Sequence, residues 1–293
     1  MYENTLVDPH TRSVQDIYAT PRELAEYIVN SLPFELLPTD QRTVFEPFAG
    51  HAPFLIAAMS RLRGLLPADA TAKQRHKHCV RMLAGMEIEP FAREVARYSL
   101  MLADYPNPNG WKISAGDVFA SAELDAQLKT AQIVLCNPPF GDFTKEERAA
   151  NASIQRPNKA AEVLRRVLER PPAMLGFIVP RLFTQGSGYR ELRERLAALY
   201  ADTSLLVLPE VAFRHSRAET VLVIAHGRQG SATRRRSAYV SKSDYPEFLR
   251  SGKLTWEDRG ETSLPDPHPQ LWTPPLLAHR FCLPRWKPRK CCS

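Results

Sequence analysis

The sequence predicts an α/β fold with a doubly wound, mostly parallel sheet of seven strands and helices on both faces. Between residues 43 and 227, short apolar runs rich in β-branched residues alternate with segments of helical periodicity. This alternation is typical of chains in which crossover helices connect parallel strands. The predicted strands are Thr43–Phe45, Arg81–Ile88, Lys112–Ser114, Ile133–Cys136, Met174–Val179, Ser204–Leu208 and Thr220–Ala225.

The predicted helices begin at recognisable start signals. We expect Thr20 to be the N-cap of the first helix, with Pro21 at its first position and Glu23 completing a capping box. The segment 73–81 is rich in basic residues and is predicted to be a solvated loop. Four further helices are predicted over residues 53–62, 91–102, 159–169 and 189–200.

The composition changes near residue 228 and divides the chain in two. Residues 1–228 carry the alternating pattern and form one predicted domain. Residues 229–293 contain three consecutive arginines at 234–236 and a cluster of prolines between 265 and 288. Because proline interrupts helices and central strands, this second part is predicted to be a small, extended, basic appendage.

Charge and composition favour a globular protein with a polyanionic partner. The net charge is +7, and residues 229–293, with 12 basic and 6 acidic residues, carry nearly all of the excess. The five cysteines lack the spacing of a zinc site or a disulfide framework, which predicts reduced thiols and no bound metal. No apolar run approaches the roughly 20 residues that span a bilayer, and the first ten residues lack signal-peptide features. We therefore expect no membrane contact and a cytoplasmic location.

The strongest chemical signal is the tetrapeptide Asn137-Pro138-Pro139-Phe140, directly after a predicted strand. It resembles the (D/N/S)-P-P-(Y/F/W) motif of methyltransferases that act on nitrogens of planar systems. Hydrogen bonds from an adenine amine to the Asn137 side-chain oxygen and the Pro138 carbonyl would localise the nitrogen lone pair for attack on a methyl group. Phe140 could stack on an extruded base. A proline-rich strand exit that only turns the chain stays an alternative.

Three further signals follow predicted strands. Glu46, Phe48 and Gly50 belong to the segment FEPFAGHAPFL, where the glycine lets the backbone approach a ligand closely. Glu87 ends the second strand, where a carboxylate can accept both hydroxyls of a ribose. Asp117 follows the third strand in the sequence GDVF. Such positions beyond the strand ends are where ligands bind in doubly wound folds.

The order of these motifs resembles that of the gamma-class N6-adenine DNA methyltransferases over about residues 18–227. These are class I S-adenosylmethionine-dependent methyltransferases with a Rossmann-like fold. The resemblance implies S-adenosylmethionine as the cofactor and DNA as the substrate, with the target base flipped out. The implied cofactor-binding residues are Thr20, Glu46, Phe48, Gly50, Glu87, Asp117 and Asn137. The implied catalytic residues are Asn137, Pro138 and Phe140, and the implied contacts to the base are Phe140 and Phe213.

The sequence departs from the family pattern at two places. The second glycine of the cofactor loop is replaced by Ala52, whose methyl group is expected to crowd the cofactor. Between residues 141 and 165, no aromatic residue is assigned to sandwich the adenine of the cofactor. For Phe213, packing against the sheet edge stays an alternative to a contact with the base.

Two other functions stay open at this point. One is a methyltransferase for an RNA base or a protein glutamine amide, which shares Asn-Pro-Pro and the glycine loop. The other is a non-catalytic, nucleic-acid-binding subunit with a methyltransferase fold, which only Ala52 favours. Residues 229–293 are fewer than a large target-recognition domain requires. DNA would then be recognised by the appendage through phosphate contacts, by a separate specificity subunit, or with relaxed specificity.

Overall fold

Nine strands form one sheet in the order β3-β2-β1-β4-β5-β7-β6-β8-β9. The computed structural model describes residues 19–107, 109–120, 122–213, 219–228, 233–254 and 257–262. The strands are β1 (Val44–Glu46), β2 (Leu83–Glu87), β3 (Lys112–Ala115), β4 (Ile133–Cys136), β5 (Met174–Pro180), β6 (Tyr200–Leu208), β7 (Thr220–Arg228), β8 (Thr233–Tyr239) and β9 (Glu257–Thr262).

Nine α-helices accompany these strands within the described ranges. They are α1 (Arg22–Asn30), α2 (Pro53–Gly64), α3 (Ala72–Met82), α4 (Pro90–Ala103), α5 (Glu123–Leu128), α6 (Lys145–Ala150), α7 (Lys159–Glu169), α8 (Arg190–Leu199) and α9 (Tyr245–Ser251). None of the helices in this part of the chain is long and apolar enough to cross a membrane.

The first five strands confirm the predicted doubly wound, parallel arrangement. β1 pairs in parallel with β2 on one side and with β4 on the other, and β3 and β5 extend the two sides. The chain therefore leaves the edge strand β3 and returns to β4 beside β1. The boundary between β1 and β4 is thus the switch point, where ligands of such folds bind. β7 is antiparallel to both of its neighbours, β5 and β6.

Helices cover both faces of the sheet. α1, α2, α3, α4 and α9 contribute buried residues to one hydrophobic cluster, and α5, α7 and α8 contribute to the other. In β4, Ile133 and Leu135 belong to the first cluster, whereas Val134 and Cys136 belong to the second. Side chains alternate along a strand, so a strand buried on both faces is apolar at every position. This explains the four consecutive apolar residues of β4.

All seven predicted strands are present, but the described sheet has nine strands instead of seven. The four helices predicted downstream of the first strand are also confirmed, as α2, α4, α7 and α8. The prediction of a basic loop over residues 73–81 is wrong, because this segment lies in α3. Its N-terminus is closed by a capping box in which the side chains of Thr71 and Gln74 accept hydrogen bonds from each other's backbone N–H. Cys79 and Met82 are buried on the inner face of the helix.

The residues after 228 continue the same sheet. β8 pairs in parallel with β6, and β9 pairs antiparallel with β8. Of the three consecutive arginines at 234–236, Arg235 is only 3% exposed, and Arg236 donates to Oγ of Ser204 at 2.9 Å. Arg234 is exposed. The predicted extended appendage therefore contributes two strands and a helix between residues 233 and 262 to the fold, and the proline cluster at 265–288 lies outside the described residues.

Helix α9 fastens this C-terminal segment to the first helix. The ring of Phe248 in α9 meets the ring of Tyr27 in α1 edge-on, with 4.9 Å between centroids. Phe248 is 3% exposed and belongs to the hydrophobic cluster that also contains four residues of α1. The chain beyond residue 228 is consequently a source of stability for the part before it.

We predict that Phe248→Ala lowers the free energy of unfolding by about 3–5 kcal/mol, the usual cost of removing a buried phenylalanine. The matched control is Arg250→Ala on the exposed side of α9, which should change it by no more than about 0.5 kcal/mol. Urea unfolding of the full chain measures both. Equal effects of the two substitutions would contradict the packing of α9 on α1.

Candidate functional site

The carboxyl ends of β1, β2, β3 and β4 lie side by side at one edge of the sheet, because these strands are adjacent and parallel. Glu46 is the last residue of β1 and Glu87 the last of β2. Asp117 lies two residues after β3, and Asn137 directly follows β4. The sheet thus brings four of the sequence-predicted polar residues to the switch point.

A carboxylate from β2 holds the turn between β1 and α2. The N–H of Gly50 donates to Oε2 of Glu87 at 2.8 Å, and the N–H of Glu89 donates to Oε1 at 2.9 Å. Gly50 has a φ of +51°. An added Cβ would meet no atom within 4 Å, so the left-handed backbone, not space, selects glycine there. Since a carboxylate accepts about four hydrogen bonds, Glu87 keeps lone pairs for a ligand hydroxyl.

The carboxyl group of Glu46 is buried at the N-terminus of α2. Its side chain is 1% exposed, and Oε2 accepts a hydrogen bond from the N–H of Leu55 at 3.1 Å. Burial raises the pKa of Glu46 well above its ordinary value, and the nearby carboxylate of Glu87 also raises it, while the N–H groups of Leu55 and Phe54 oppose the shift. The site therefore contains a carboxyl group that gains from a cationic partner.

The raised pKa of Glu46 makes a prediction about stability. The folded protein binds this proton more tightly than the unfolded chain, so stability falls as the pH rises above the ordinary pKa of 4.5. Glu46→Gln keeps the acceptor for the N–H of Leu55 but cannot ionise. We expect it to leave the unfolding free energy unchanged near pH 4.5 and to raise it relative to the unmodified protein at pH 8.

Urea unfolding at the two pH values tests this expectation. Glu23→Gln, at an exposed carboxyl group, is the control and should show no such pH-dependent gain. A Glu46→Gln variant that is equally or less stable than the unmodified protein at pH 8 would show that the Glu46 carboxyl group is not penalised by burial.

Thr20 and Asn137 are joined directly although 117 residues separate them. Nδ2 of Asn137 donates to Oγ1 of Thr20 at 3.0 Å. The prediction of Thr20 as N-cap, with a capping box to Glu23, is wrong. Pro21 is the N-cap of α1, and no side chain caps this helix. The hydroxyl is instead used to hold the amide of Asn137.

The close approach of α1 to the sheet places Thr20 at the site. A Cβ at Gly176 in β5 would lie only 2.3 Å from Cγ2 of Ile28 in α1. Only glycine therefore allows the helix to pack this closely on the strand. The sequence shows a glycine within an apolar strand at position 176. Only the packed structure shows that α1 is the helix that crosses the strand there.

The Asn-Pro-Pro-Phe segment leaves the sheet with its second residue buried. Pro138 is buried, and Phe140 is partly buried against the hydrophobic cluster that contains α1 and α2. The backbone carbonyl of Phe140 accepts a hydrogen bond from Nδ2 of Asn158 at 2.6 Å. The predicted catalytic residues thus form one continuous strand exit anchored at both ends, by Thr20 and by Asn158.

An aromatic cluster, consisting of Phe48, Phe119 and Phe143, lies beside this exit. The centroid of Phe119 is 5.7 Å from that of Phe48 and 4.7 Å from that of Phe143. Phe143 is the one aromatic residue between residues 141 and 165, and it was not among the predicted site residues. The feature of the sequence that could have identified Phe143 is its position three residues after Phe140. The cluster connects the glycine turn, the Asp117 turn and the segment after Phe140.

Two other residues extend the candidate site. Oδ1 of Asp117 accepts a hydrogen bond from the N–H of Phe119 at 2.8 Å, so the carboxylate shapes its own turn. Ile88, directly after Glu87, is an apolar side chain that is 61% exposed. An exposed isoleucine directly after a polar strand end is an apolar surface suited to a planar ring, and it was not among the predicted site residues.

Phe213 is buried in the hydrophobic core. It is 2% exposed and belongs to the cluster around α1 and α9, against which Phe140 also packs. Its contact with a base stays a prediction, and it requires Phe213 to leave this packing. Residues 214–218, which follow it, lie outside the described residues.

Ala52, which replaces the second glycine, adopts the left-handed conformation with φ 65° and ψ 43°. Alanine is strained there by about 1–2 kcal/mol. Its side chain is fully buried in the hydrophobic cluster beside Phe54 and Leu55. Because the methyl group packs into the core, its position does not support the expected crowding of a cofactor.

The strain at Ala52 predicts an unusual response to glycine. Ala52→Gly loses about 0.8 kcal/mol of methyl burial but relieves the left-handed strain, so the unfolding free energy should change by less than about 1 kcal/mol. Ala58→Gly, at an equally buried alanine within α2, should cost about 2 kcal/mol. Thermal or urea unfolding compares the two. A loss at Ala52 as large as that at Ala58 would contradict the strain.

Neither of the two cysteines within the described ranges is bonded to another: Cys79 and Cys136 are buried free thiols. In the same ranges, no group of three or more His, Cys, Asp or Glu side chains is arranged to hold a metal ion. Cys282, Cys291 and Cys292 lie outside the described residues.

Comparison with known families gives a match over more than half of the chain. Residues 1–166 match the sequence model of the family described as N-6 DNA methylase. This range includes all of the motifs that end β1 to β4. No match was found among curated proteins.

Solved structures of restriction-modification enzymes have a similar fold. One is a nuclease-deletion mutant of the Type ISP enzyme LlaGI in complex with a DNA substrate mimic, with 15% identity and a TM-score of 0.69 over 83% of this chain. Another is described as a modification subunit of a type I restriction enzyme from Vibrio vulnificus, with 16% identity and a TM-score of 0.63 over 88% of this chain. The M protein of the type I restriction enzyme EcoKI has 23% identity and a TM-score of 0.57 over 79% of this chain.

These similarities, at low identity, concern the fold. The present chain spans 30% of the LlaGI chain, 58% of the Vibrio vulnificus subunit and 51% of the EcoKI M protein. It therefore corresponds to a part of each of these proteins.

Proposed function

The chain belongs to the N-6 DNA methylase family, and we propose that it transfers a methyl group from S-adenosylmethionine to the N6 amine of adenine in DNA. The observation that carries the proposal is the hydrogen bond between Asn137 and Thr20 at the switch point. It fixes the amide of the Asn-Pro-Pro-Phe motif at the end of β4, next to β1, the strand that ends in Glu46. An amide fixed in this way can accept a hydrogen bond from an aromatic amine in one defined direction.

The role of Asn137 follows from its orientation. With Nδ2 directed to Thr20, Oδ1 is the atom that accepts a hydrogen bond from the target amine. The carbonyl of Pro138 accepts the second amine hydrogen. Both bonds withdraw the amine hydrogens from the ring plane and localise the lone pair on nitrogen. Phe140 stacks on the flipped base, a contact that contributes about 1–3 kcal/mol.

The residues at the carboxyl edge fit S-adenosylmethionine. The buried Glu46 carboxyl group would pair with the ammonium group, which offsets the cost of ionising it. Glu87 would accept the ribose hydroxyls, and Asp117 would accept the adenine amine. Thr20, Phe48 and Gly50 line the same edge in the proposal. When bound, the cofactor supplies an electrophilic methyl group on a sulfonium.

DNA recognition is proposed to need more than the described fold. A flipped adenine would be held at Phe140, while flanking phosphates would meet basic residues after 228, where Arg234 is exposed but Arg235 is buried. Trp256, Trp272 and Trp286 of the appendage lie outside the described residues. We propose a separate specificity subunit as a partner. The type I enzymes among the similar structures, which include a modification subunit, support this proposal.

The proposed reaction predicts transfer of labelled methyl groups from S-adenosylmethionine to unmethylated genomic DNA, with N6-methyladenine as the product on nucleoside analysis. Asn137→Ala should reduce the rate by at least about a hundredfold, because it removes an acceptor used in the transition state. The Tm of this variant reports whether its fold is retained.

Other outcomes separate the alternatives. Cofactor binding without transfer to DNA would contradict DNA as the substrate of this chain acting alone and would direct the assay to RNA, to a glutamine amide or to a complex with a specificity subunit. Absence of cofactor binding would overturn the proposal and favour a non-catalytic subunit.

A further inference from the structure

Asn158, the N-cap of α7, uses its whole side-chain amide to connect Phe140 with its surroundings. Nδ2 donates to the carbonyl oxygen of Phe140 at 2.6 Å and to Oδ1 of Asp142 at 3.1 Å. Oδ1 accepts from the N–H of Ala161 at 3.1 Å and from the hydroxyl of Tyr189 at 2.8 Å. An amide has two donor hydrogens and two acceptor lone pairs, so every hydrogen-bonding position is filled.

Backbone hydrogen bonds continue this connection on both sides of Asn158. The N–H of Lys159 donates to the carbonyl of Gly141 at 3.0 Å, and the N–H of Phe143 donates to the carbonyl of Pro157 at 2.8 Å. Asp142 and Asn158 form an isolated antiparallel bridge. Residues 140–143 are therefore paired with residues 157–159 like two short strands.

Helix α7, which begins after Asn158, is held rigidly by its packing. Helix α7 has eight buried residues, six apolar and two charged, and Val163 and Leu164 are among those that pack in the second hydrophobic cluster. Its Glu162 is fully buried and accepts hydrogen bonds from Arg165 and Arg166. Because α7 is fixed in this way, its N-cap Asn158 holds the Phe140 carbonyl in a defined position.

The need for such an anchor follows from the sequence around Phe140. Pro138 and Pro139 each have φ fixed near −65°, so the chain is stiff before Phe140. Gly141 directly after it is the most permissive residue for backbone rotation. The backbone hydrogen bonds to residues 157–159 begin only at Gly141, so the bond from Asn158 to the Phe140 carbonyl is what fixes the peptide next to the aromatic residue.

We infer that Asn158 is a positioning residue for methyl transfer: its hydrogen bond to the Phe140 carbonyl fixes the aromatic ring that stacks on the target base. The inference rests on the proposed function. Asn158 itself acts through Phe140 and does not contact substrate.

The test distinguishes the hydrogen bond from Asn158 to the Phe140 carbonyl from the other hydrogen bonds of the Asn158 side chain. Asn158→Asp keeps the acceptors for Ala161 and Tyr189 but loses both donors and places a carboxylate beside Asp142. The double variant Asp142→Asn with Asn158→Asp exchanges donor and acceptor, which restores the side-chain bond between the two positions and the net charge. In that variant the Phe140 carbonyl still lacks its donor. Asp142→Asn alone keeps the donor to Phe140 and is the matched control.

The measurements are Tm, the KM for S-adenosylmethionine, and kcat for methyl transfer to unmethylated genomic DNA. We expect Asn158→Asp to lower kcat about tenfold, the equivalent of one lost hydrogen bond, with KM for the cofactor within about twofold. The double variant should regain the Tm of the control but keep the low kcat. The control should retain kcat within about twofold.

Two results would overturn the inference alone. They are an unchanged kcat for Asn158→Asp, and a double variant in which kcat recovers together with Tm, which would assign a purely structural role to Asn158. If the unmodified protein binds the cofactor but transfers no methyl group, the proposed function fails for this chain acting alone, and the inference falls with it. The two failures are thus distinguished by the unmodified protein.

Discussion

The hydrogen bond between Asn137 and Thr20 connects the end of a central strand with the start of the first helix. Asn137 directly follows the central strand β4. Thr20 lies just before α1, a helix that precedes all of the strands in the chain and packs on the sheet. The amide can be oriented only if α1 lies in one place, which requires the close contact of Ile28 with Gly176. The geometry of the candidate site is consequently set by helix packing on the sheet, because this hydrogen bond joins two elements that lie far apart in the chain.

Helix α9 supports the same arrangement from the far side of the predicted domain boundary. Phe248 packs on Tyr27 of α1, and the hydroxyl of Tyr245 donates to the carbonyl of Ala212 at 3.2 Å. Ala212 directly precedes Phe213. One short helix therefore touches both the element that carries Thr20 and the turn that carries a predicted base contact. This gives residues 233–254 a structural role in the site, although they follow the range that matches the family.

The electrostatics of the site favour cationic and hydrogen-bond-donating ligands. Glu46 is buried, and its pKa is raised first by burial and then by the carboxylate of Glu87. Backbone N–H groups satisfy both carboxyl groups, which lets two acidic side chains coexist at adjacent strand ends. An ammonium group would remove the remaining cost. The fit to the proposed cofactor thus comes from a local excess of acceptors in an otherwise basic protein.

The fold class, seven of the strands and the polar residues at four strand ends follow from the sequence alone, because strands buried on both faces read as apolar runs that stop where the candidate site begins. The sequence did not determine what Thr20 binds, that Asn158 holds Phe140, or that β8 and β9 extend the sheet. These features depend on contacts between residues far apart in the chain. A threonine before proline or an asparagine before a helix has the same local pattern whether its side chain caps a helix or reaches another element. Only the packed structure decides between them, because the partner atoms come together only when the sheet and its helices have formed.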